Sequence, residues 1–283
     1  MPIDPDKLRG AVLSGGTARW TQEDIIMYHL GLGAGVAATD PRELEYVYEG
    51  NLKVLPTFGV IPLFDVLSAV QGLDGVDFDL AMLLHGEQDL RLHGPIPTEA
   101  TVDSTGSVVG VYDKGKAALL VIETETLGAS GEPMFTNRFS MFIRGEGGFG
   151  GEAGPKAGND PPSREPDVVL TSPTLPQQAL IYRLSGDMNP LHADPEFARL
   201  GGFDRPILHG LCTYGVVCKA VVDNMLDGDV NRVGRFQVRF AGVVFPGETI
   251  VTSVWRERNR LLLQAGVRER DTAVITNAAI TLV

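Results

Sequence analysis

The clearest pattern along the chain is helical. Leu211, Tyr214, Cys218, Val221, Val222 and Met225 recur at helical spacing, and Val216, Val217 and Ala220 fill the other faces. A helix that is apolar nearly all round is a buried helix. After it the period changes: residues 248–256, 260–270 and 272–283 are β-branched stretches of strand length separated by polar turns. In the first half, Leu55-Pro56-Thr57 leads into an apolar stretch that runs to Leu73 and reads as an equivalent long helix. The expected class is α+β, with a long helix wrapped by an antiparallel sheet in each half. Joining the two sheets edge to edge hides two exposed strand edges.

Between Gly145 and Pro166 lie seven glycines and four prolines, with Phe149 almost the only apolar residue, which is the composition of a linker. The chain then divides into units at 1–150 and 169–283, joined by 151–168. Four anchors recur in the same order in both units, which points to duplication. Ile25-Ile26-Met27-Tyr28-His29-Leu30-Gly31 matches Ala179-Leu180-Ile181-Tyr182-Arg183-Leu184-Ser185, and Leu55-Pro56-Thr57 matches Arg205-Pro206-Ile207. Leu90-Arg91-Leu92 is echoed by Val238-Arg239-Phe240, and Phe135-Thr136-Asn137 by Ile275-Thr276-Asn277.

Charge narrows the partners. The 24 Lys+Arg against 36 Asp+Glu leave a net −12 over 283 residues, which disfavours nucleic acid and anionic membrane surfaces. The start Met1-Pro2-Ile3-Asp4-Pro5-Asp6 lacks the basic and apolar regions of a secretory signal, and no apolar run reaches the ~18 residues of a membrane helix. The end Thr281-Leu282-Val283 lacks the simple peroxisomal tripeptide, so a cytoplasmic protein is expected. Cys212 and Cys218 sit in one apolar segment and read as buried thiols. The glycines of Gly31-Leu32-Gly33-Ala34-Gly35 follow a helix-like segment, not a strand, and so are a poor dinucleotide loop.

The densest polar constellation runs from Tyr182 to Pro195 and holds Asp187, Asn189, His192 and Asp194. Asn189-Pro190 disfavours helical geometry, so Asp187 and His192 sit on a turn that can make them converge. A carboxylate beside an imidazole suits general acid–base work on water. By composition alone the same residues also fit a capped loop, in which Asp187 closes a turn and His192 bonds to backbone. Two further readings are a metal site from Asp187, His192, Asp194 and His209, which has no recurring ligand spacing, and a Cys212 nucleophile paired with His209.

The continuation Gly201-Gly202-Phe203-Asp204-Arg205-Pro206-Ile207-Leu208-His209-Gly210-Leu211-Cys212-Thr213 changes the balance. From Tyr182 to Gly215 the sequence resembles the MaoC-like (R)-specific enoyl-CoA hydratases, the hydratase 2 family, whose fold is a double hot dog. The resemblance implies reversible hydration of a trans-2-enoyl-CoA to the (3R)-3-hydroxyacyl-CoA, with Asp187 and His192 flanking the catalytic water and Asn189 positioning it. It also implies that the Gly210 N–H stabilises the thioester oxyanion, and that His85, Gly86, Lys114 and Phe240 line the ligand. The resemblance implies no metal or redox cofactor, and it implies a homodimer. Aligning Tyr28 with Tyr182 puts Gly33 opposite Asp187, with no histidine to match His192, so the first unit has lost the dyad and is left to shape the acyl pocket. Eight arginines between Arg232 and Arg270 fit either coenzyme A phosphates or ordinary strand faces. An acyl-carrier-protein dehydratase and a non-catalytic acyl-thioester binding module are the alternatives.

Overall fold

Three helices begin at an Asp-Pro pair, because the aspartate accepts the free N–H groups of the first turn and proline needs no donor there. These are α1 (Pro5–Leu8), α3 (Pro41–Val47) and α6 (Pro195–Leu200), capped by Asp4, Asp40 and Asp194. The others are α2 (Gln22–Gly31), α4 (Phe64–Ala69), α5 (Gln178–Tyr182) and α7 (Gly210–Met225). The computed structural model describes residues 3–13, 15–76, 82–156 and 158–283.

The strands of the first half are β1 (Val12–Leu13), β2 (Thr17–Trp20), β3 (Leu83–Leu92), β4 (Ala100–Asp113), β5 (Ala117–Gly128) and β6 (Pro133–Arg144). Those of the second are β7 (Val168–Pro173), β8 (Val233–Phe240), β9 (Thr249–Glu257), β10 (Arg260–Val267) and β11 (Thr272–Leu282). All eleven form one antiparallel sheet in the order β1-β4-β5-β6-β3-β8-β11-β10-β9-β7, with β2 also on β4. Outward from the β3–β8 seam the order is the same on both sides: β3, β6, β5, β4 on one and β8, β11, β10, β9 on the other. The expected edge-to-edge junction is therefore this pair, aligned Asp89 to Gln237 and Leu90 to Phe236. Across it Arg235 forks onto Asp89, with Nε 2.8 Å from Oδ1. Alternation puts Val102, Ser104 and Val108 of β4 inside and Thr101, Asp103 and Thr105 outside.

Helix α7 lies against this sheet, buried over most of its surface as its sequence demands. Its core takes in Ile25, Tyr28 and Phe58 of the first half as well as Phe236, Ile250 and Leu263 of the second. A smaller core packs Val66 and Val70 onto Val108, Ile122 and Phe139.

One expectation needs correction and another gains detail. The apolar stretch to Leu73 is not one long helix: it is a 3-10 segment at Pro56–Leu63, then the short α4, then a 3-10 turn at Val70–Gly72. Pro62 lacks the N–H that an α-helical bond requires, so a tighter winding takes its place. Secondly, the Gly/Pro-rich segment lacks helix and strand among its described residues yet is no free tether. The Asp113 carboxylate accepts the N–H groups of Gly148 and Gly150, Trp255 donates to the Arg164 carbonyl at 2.9 Å, and Asn277 bonds Asp160 at 2.7 Å.

Candidate active site

The loop that carries the polar constellation is built by local rules. Helix α5 ends at Tyr182, a 3-10 turn covers Arg183–Ser185, and Gly186 then takes φ +130°, a conformation in which L side chains are strained. A Cβ there would also stand 2.8 Å from the Phe64 ring, so the first half presses directly on this turn. Asp187 Oδ1 accepts the Asn189 N–H at 3.2 Å, and Asn189 Oδ1 accepts the Leu191 N–H at 3.0 Å, opening the turn Pro190–His192. The His192 Nδ1–H donates to the Ile207 carbonyl at 2.9 Å. That bond assigns the tautomer and leaves the Nε2 lone pair free. Nε2 stands 4.0 Å from Asp187 Oδ2. The turn-closing and backbone contacts of the capped-loop reading are thus all present, and they are what makes the two functional atoms converge.

The dyad opens on a cavity of about 810 Å³ at the seam between the halves. All eight residues singled out in the sequence line it: Asp187, Asn189, His192 and Gly210, together with His85, Gly86, Lys114 and Phe240. Gly86 sits at a bulge where the β3–β6 register shifts between His85 and Glu87. The His85 ring meets Phe240 edge-on at 4.9 Å and bonds the Glu87 carbonyl through Nε2 at 3.0 Å. The Lys114 ammonium donates to the Ala153 carbonyl at the rim. Sequence reasoning missed the opposite wall, where Phe64, Leu67 and Gln71 join Leu119, Phe139 and Phe142. The break in the first-half helix at Pro62 was its one visible signal.

Electrostatics at the site are set by burial. His192 is only 8% exposed. Desolvation pulls its imidazole below the usual range, against which the Asp187 carboxylate and the bond to Ile207 push it up. His85 is drawn down to about 4 by burial. Gly210 is the first residue of α7, so its N–H has no partner within the helix and lies at the positive end of the dipole. Of the eight arginines, Arg235 pairs with Asp89, Arg270 with Glu248, and Arg239 lies 3.8 Å from Glu87. The first and third pair across β3 and β8, the second joins two loops, and of the eight only Arg239 also lines the cavity.

The remaining chemistries fare differently. Asp187, His192 and His209 bring one ligand atom each within 4.8 Å of one another. The two imidazoles, however, stack at 3.6 Å and 27°, so their in-plane lone pairs run side by side and do not meet at one ion. Asp194, the fourth candidate ligand, instead caps α6. The Cys212 thiol is fully buried, its pKa driven up by desolvation, and bonds the Gly31 carbonyl, which removes it as a nucleophile. Among the described residues no helix is long and apolar enough to cross a membrane.

A carboxylate and an imidazole thus lie in the wall of a largely apolar cavity, beside the start of a buried helix, in a continuous sheet of two matching halves, which is the double hot dog class of fold. The profile of the MFE-2 hydratase 2 N-terminal domain matches residues 19–145, and that of the MaoC-like domain matches 156–278. The enoyl-CoA hydratase ChsH3 of Mycobacterium tuberculosis is 44% identical over 97% of both chains. The probable enoyl-CoA hydratase 2 of Dictyostelium discoideum is 42% identical over 93% of this chain and 90% of its own. A MaoC-like dehydratase from Phytophthora capsici superposes with a TM-score of 0.88 at 34% identity, covering 99% of this chain and 98% of that one. The chain belongs to the MaoC-like hydratase 2 family.

Proposed function

We propose that this protein reversibly hydrates trans-2-enoyl-CoA to (3R)-3-hydroxyacyl-CoA. The observation that carries the reading is the 4.0 Å separation of Asp187 Oδ2 and His192 Nε2 at the cavity wall. Two acceptors at that spacing are bridged by one water oxygen about 2.8 Å from each, seen at an angle of about 90°. Such a water donates one hydrogen to each group and turns its lone pairs toward the cavity, where C3 of the enoyl group is held. The dyad removes one proton from the water as its oxygen bonds to C3, and returns one proton to C2, so the enzyme's proton inventory is unchanged. Both groups contact the same water, so acid and base roles are assigned to the pair. Asn189 fixes the turn that holds the water.

Negative charge develops on the thioester oxygen during addition. The free N–H of Gly210 meets it there, and one such preorganised donor lowers a barrier by about 3 kcal/mol. His85, Gly86 and Phe240 flank the thioester, Lys114 at the rim suits the coenzyme A arm, and the apolar wall from Phe64 to Phe142 takes the acyl chain. The reaction has no redox change and needs no redox cofactor.

The test follows absorbance decay of short- and long-chain enoyl-CoA, with chiral analysis of the product. Asp187→Asn and His192→Ala are expected to fold and lose turnover; wild-type rates in either would end the reading. The Phytophthora relative's description as a dehydratase favours a second reading, the reverse flux, for which a carrier-protein thioester is the alternative substrate. Offering one acyl group on both carriers separates the two.

A further inference from the structure

One buried side chain outside the proposed dyad touches every part of it. His209 is 1% exposed and is the N-cap of α7. Its Nε2 bonds the main-chain carbonyl of Asp187 at 3.1 Å. A carbonyl only accepts, so Nε2 carries the proton and Nδ1 carries the lone pair. The same ring stacks on His192, with centroids 3.6 Å apart, and its other neighbour is the Tyr182 ring at 4.9 Å. Its own peptide unit leads directly into Gly210.

Near Asp187 itself the loop is held by short-range contacts, while further along His192 bonds the Ile207 carbonyl fifteen residues on. Asn189 bonds back to Asp187, and Arg183 Nη2 donates to the Met188 carbonyl at 3.3 Å. The bond from His209 spans twenty-two residues, and it ties the loop to the start of α7. One imidazole therefore joins the backbone that carries the carboxylate, the face of the second histidine, and the residue that offers the oxyanion donor.

We propose that His209 is a positioning residue: its Nε2–H bond to Asp187 and its stack on His192 hold the carboxylate and the imidazole in register with Gly210. The inference rests on the hydratase reading above and adds a requirement to it. Burial holds His209 well below the usual imidazole range. The groups that face it are His192 and Arg183, which both disfavour a second proton, the Asp187 carbonyl, and Tyr182. The ring stays neutral throughout turnover, and its single proton is structural.

Geometry of this kind is expensive to lose, since a displacement of about 1 Å costs on the order of 100-fold in rate. His209→Phe keeps a ring on His192 and removes the donor. His209→Gln removes the ring and keeps an N–H within reach of the Asp187 carbonyl. The expected result is a fall in kcat of about 100-fold for the Phe variant with KM within a few-fold of wild type, and recovery to within about tenfold of wild type in the Gln variant. Wild-type kcat in His209→Phe, or equal losses in both variants, overturns the proposal. A measurement on the unmodified protein does not depend on the variants folding: 15N-detected imidazole spectra are expected to show His209 protonated on Nε2 alone, and a proton on Nδ1 overturns the proposal. Asp187→Asn in the same assay separates the two claims. If it retains turnover, the hydratase reading falls; if it is inactive while His209→Phe is not, only the positioning role falls.

Discussion

Tyr28 and Tyr182 occupy corresponding places in the two halves, 5.9 Å apart ring to ring, and their surroundings have diverged. Tyr28 donates to the Thr57 hydroxyl at 2.9 Å, and its neighbour His29 uses both nitrogens, one toward the Tyr46 carbonyl at 2.7 Å and one accepting the Leu55 N–H at 3.2 Å. Every polar atom of that group is closed within the fold. In the second half Ile207 stands where Thr57 does, the Tyr182 hydroxyl and His209 Nδ1 are buried without a hydrogen-bond partner among the described residues, and His192 lines the cavity. Unsatisfied buried polar atoms are costly and rare in native proteins, so their gathering behind the dyad marks where the fold gives way to function.

The largest effect expected from this contrast separates the histidines. Asp187→Asn and His192→Ala should each lower kcat by about 10²–10⁴-fold, the usual weight of a general acid–base group. His29→Gln removes an equally buried imidazole from the closed group and should lower the urea midpoint while leaving kcat within about twofold. Equal kinetic damage from His29→Gln would show that the halves are not divided in this way.

Next in size comes the turn glycine. Gly186→Ala places a side chain at φ +130° and against Phe64. The strain costs about 1–3 kcal/mol, and relief comes most easily by moving the loop that carries Asp187, so a loss in kcat of tenfold or more is expected. Gly33→Ala, at φ +83° in the position that aligns with Asp187, meets Gln178 at 3.2 Å and imposes similar strain. Its effect should appear in thermal stability and not in kcat.

How much of this was legible in the sequence follows from distance along the chain. Asp187, Asn189 and His192 lie within six residues of a proline-fixed turn, and α7 announces itself by being apolar on all sides, so both could be read locally. The wall formed by Phe64 and Gln71 could not, because it meets the dyad only across the β3–β8 seam. The same holds for the fastening of the Gly/Pro-rich segment, whose anchors Asp113, Trp255 and Asn277 are spread over both halves. His209 was visible as a residue but not in its role, since its partner carbonyl is twenty-two residues away. The broken first-half helix is a different failure: the continuous apolar run to Leu73 reads as one helix, and Pro62 within it, lacking an N–H, breaks the winding.

Acid stability sharpens the comparison further. His29 is drawn down to about 3 by burial and is neutral when folded. Its unfolded pKa is about 6.5, so below that pH the unfolded chain binds a proton that the native one does not. The stability it confers is complete above pH 6.5 and is lost as pH falls toward 3, by about 1.4 kcal/mol per pH unit once well below 6.5. His192 is lowered less freely, because Asp187 pushes back. Urea midpoints between pH 6.5 and 4.5 should therefore flatten in His29→Gln by more than in His192→Gln. The reverse order would place the stronger desolvation in the half that carries Asp187 and His192.

The smallest expected effect tests the closed group itself. Thr57 is fully buried, and its hydroxyl accepts from Tyr28. Thr57→Val keeps the shape and branching of the side chain and removes the hydroxyl, which accepts from Tyr28 and also bonds the Cys218 thiol, so Tyr28 is left as Tyr182 already is. Leaving one buried donor unsatisfied costs about 1–3 kcal/mol, from which the easier burial of a methyl group subtracts, for a net loss of about 1 kcal/mol. For a chain of this size that lowers the thermal midpoint by about 2–4 °C. No change in kcat is expected, because no atom of the dyad leans on Thr57. A loss of turnover here would mean that the two tyrosines, in ring contact, transmit the state of one half to the other.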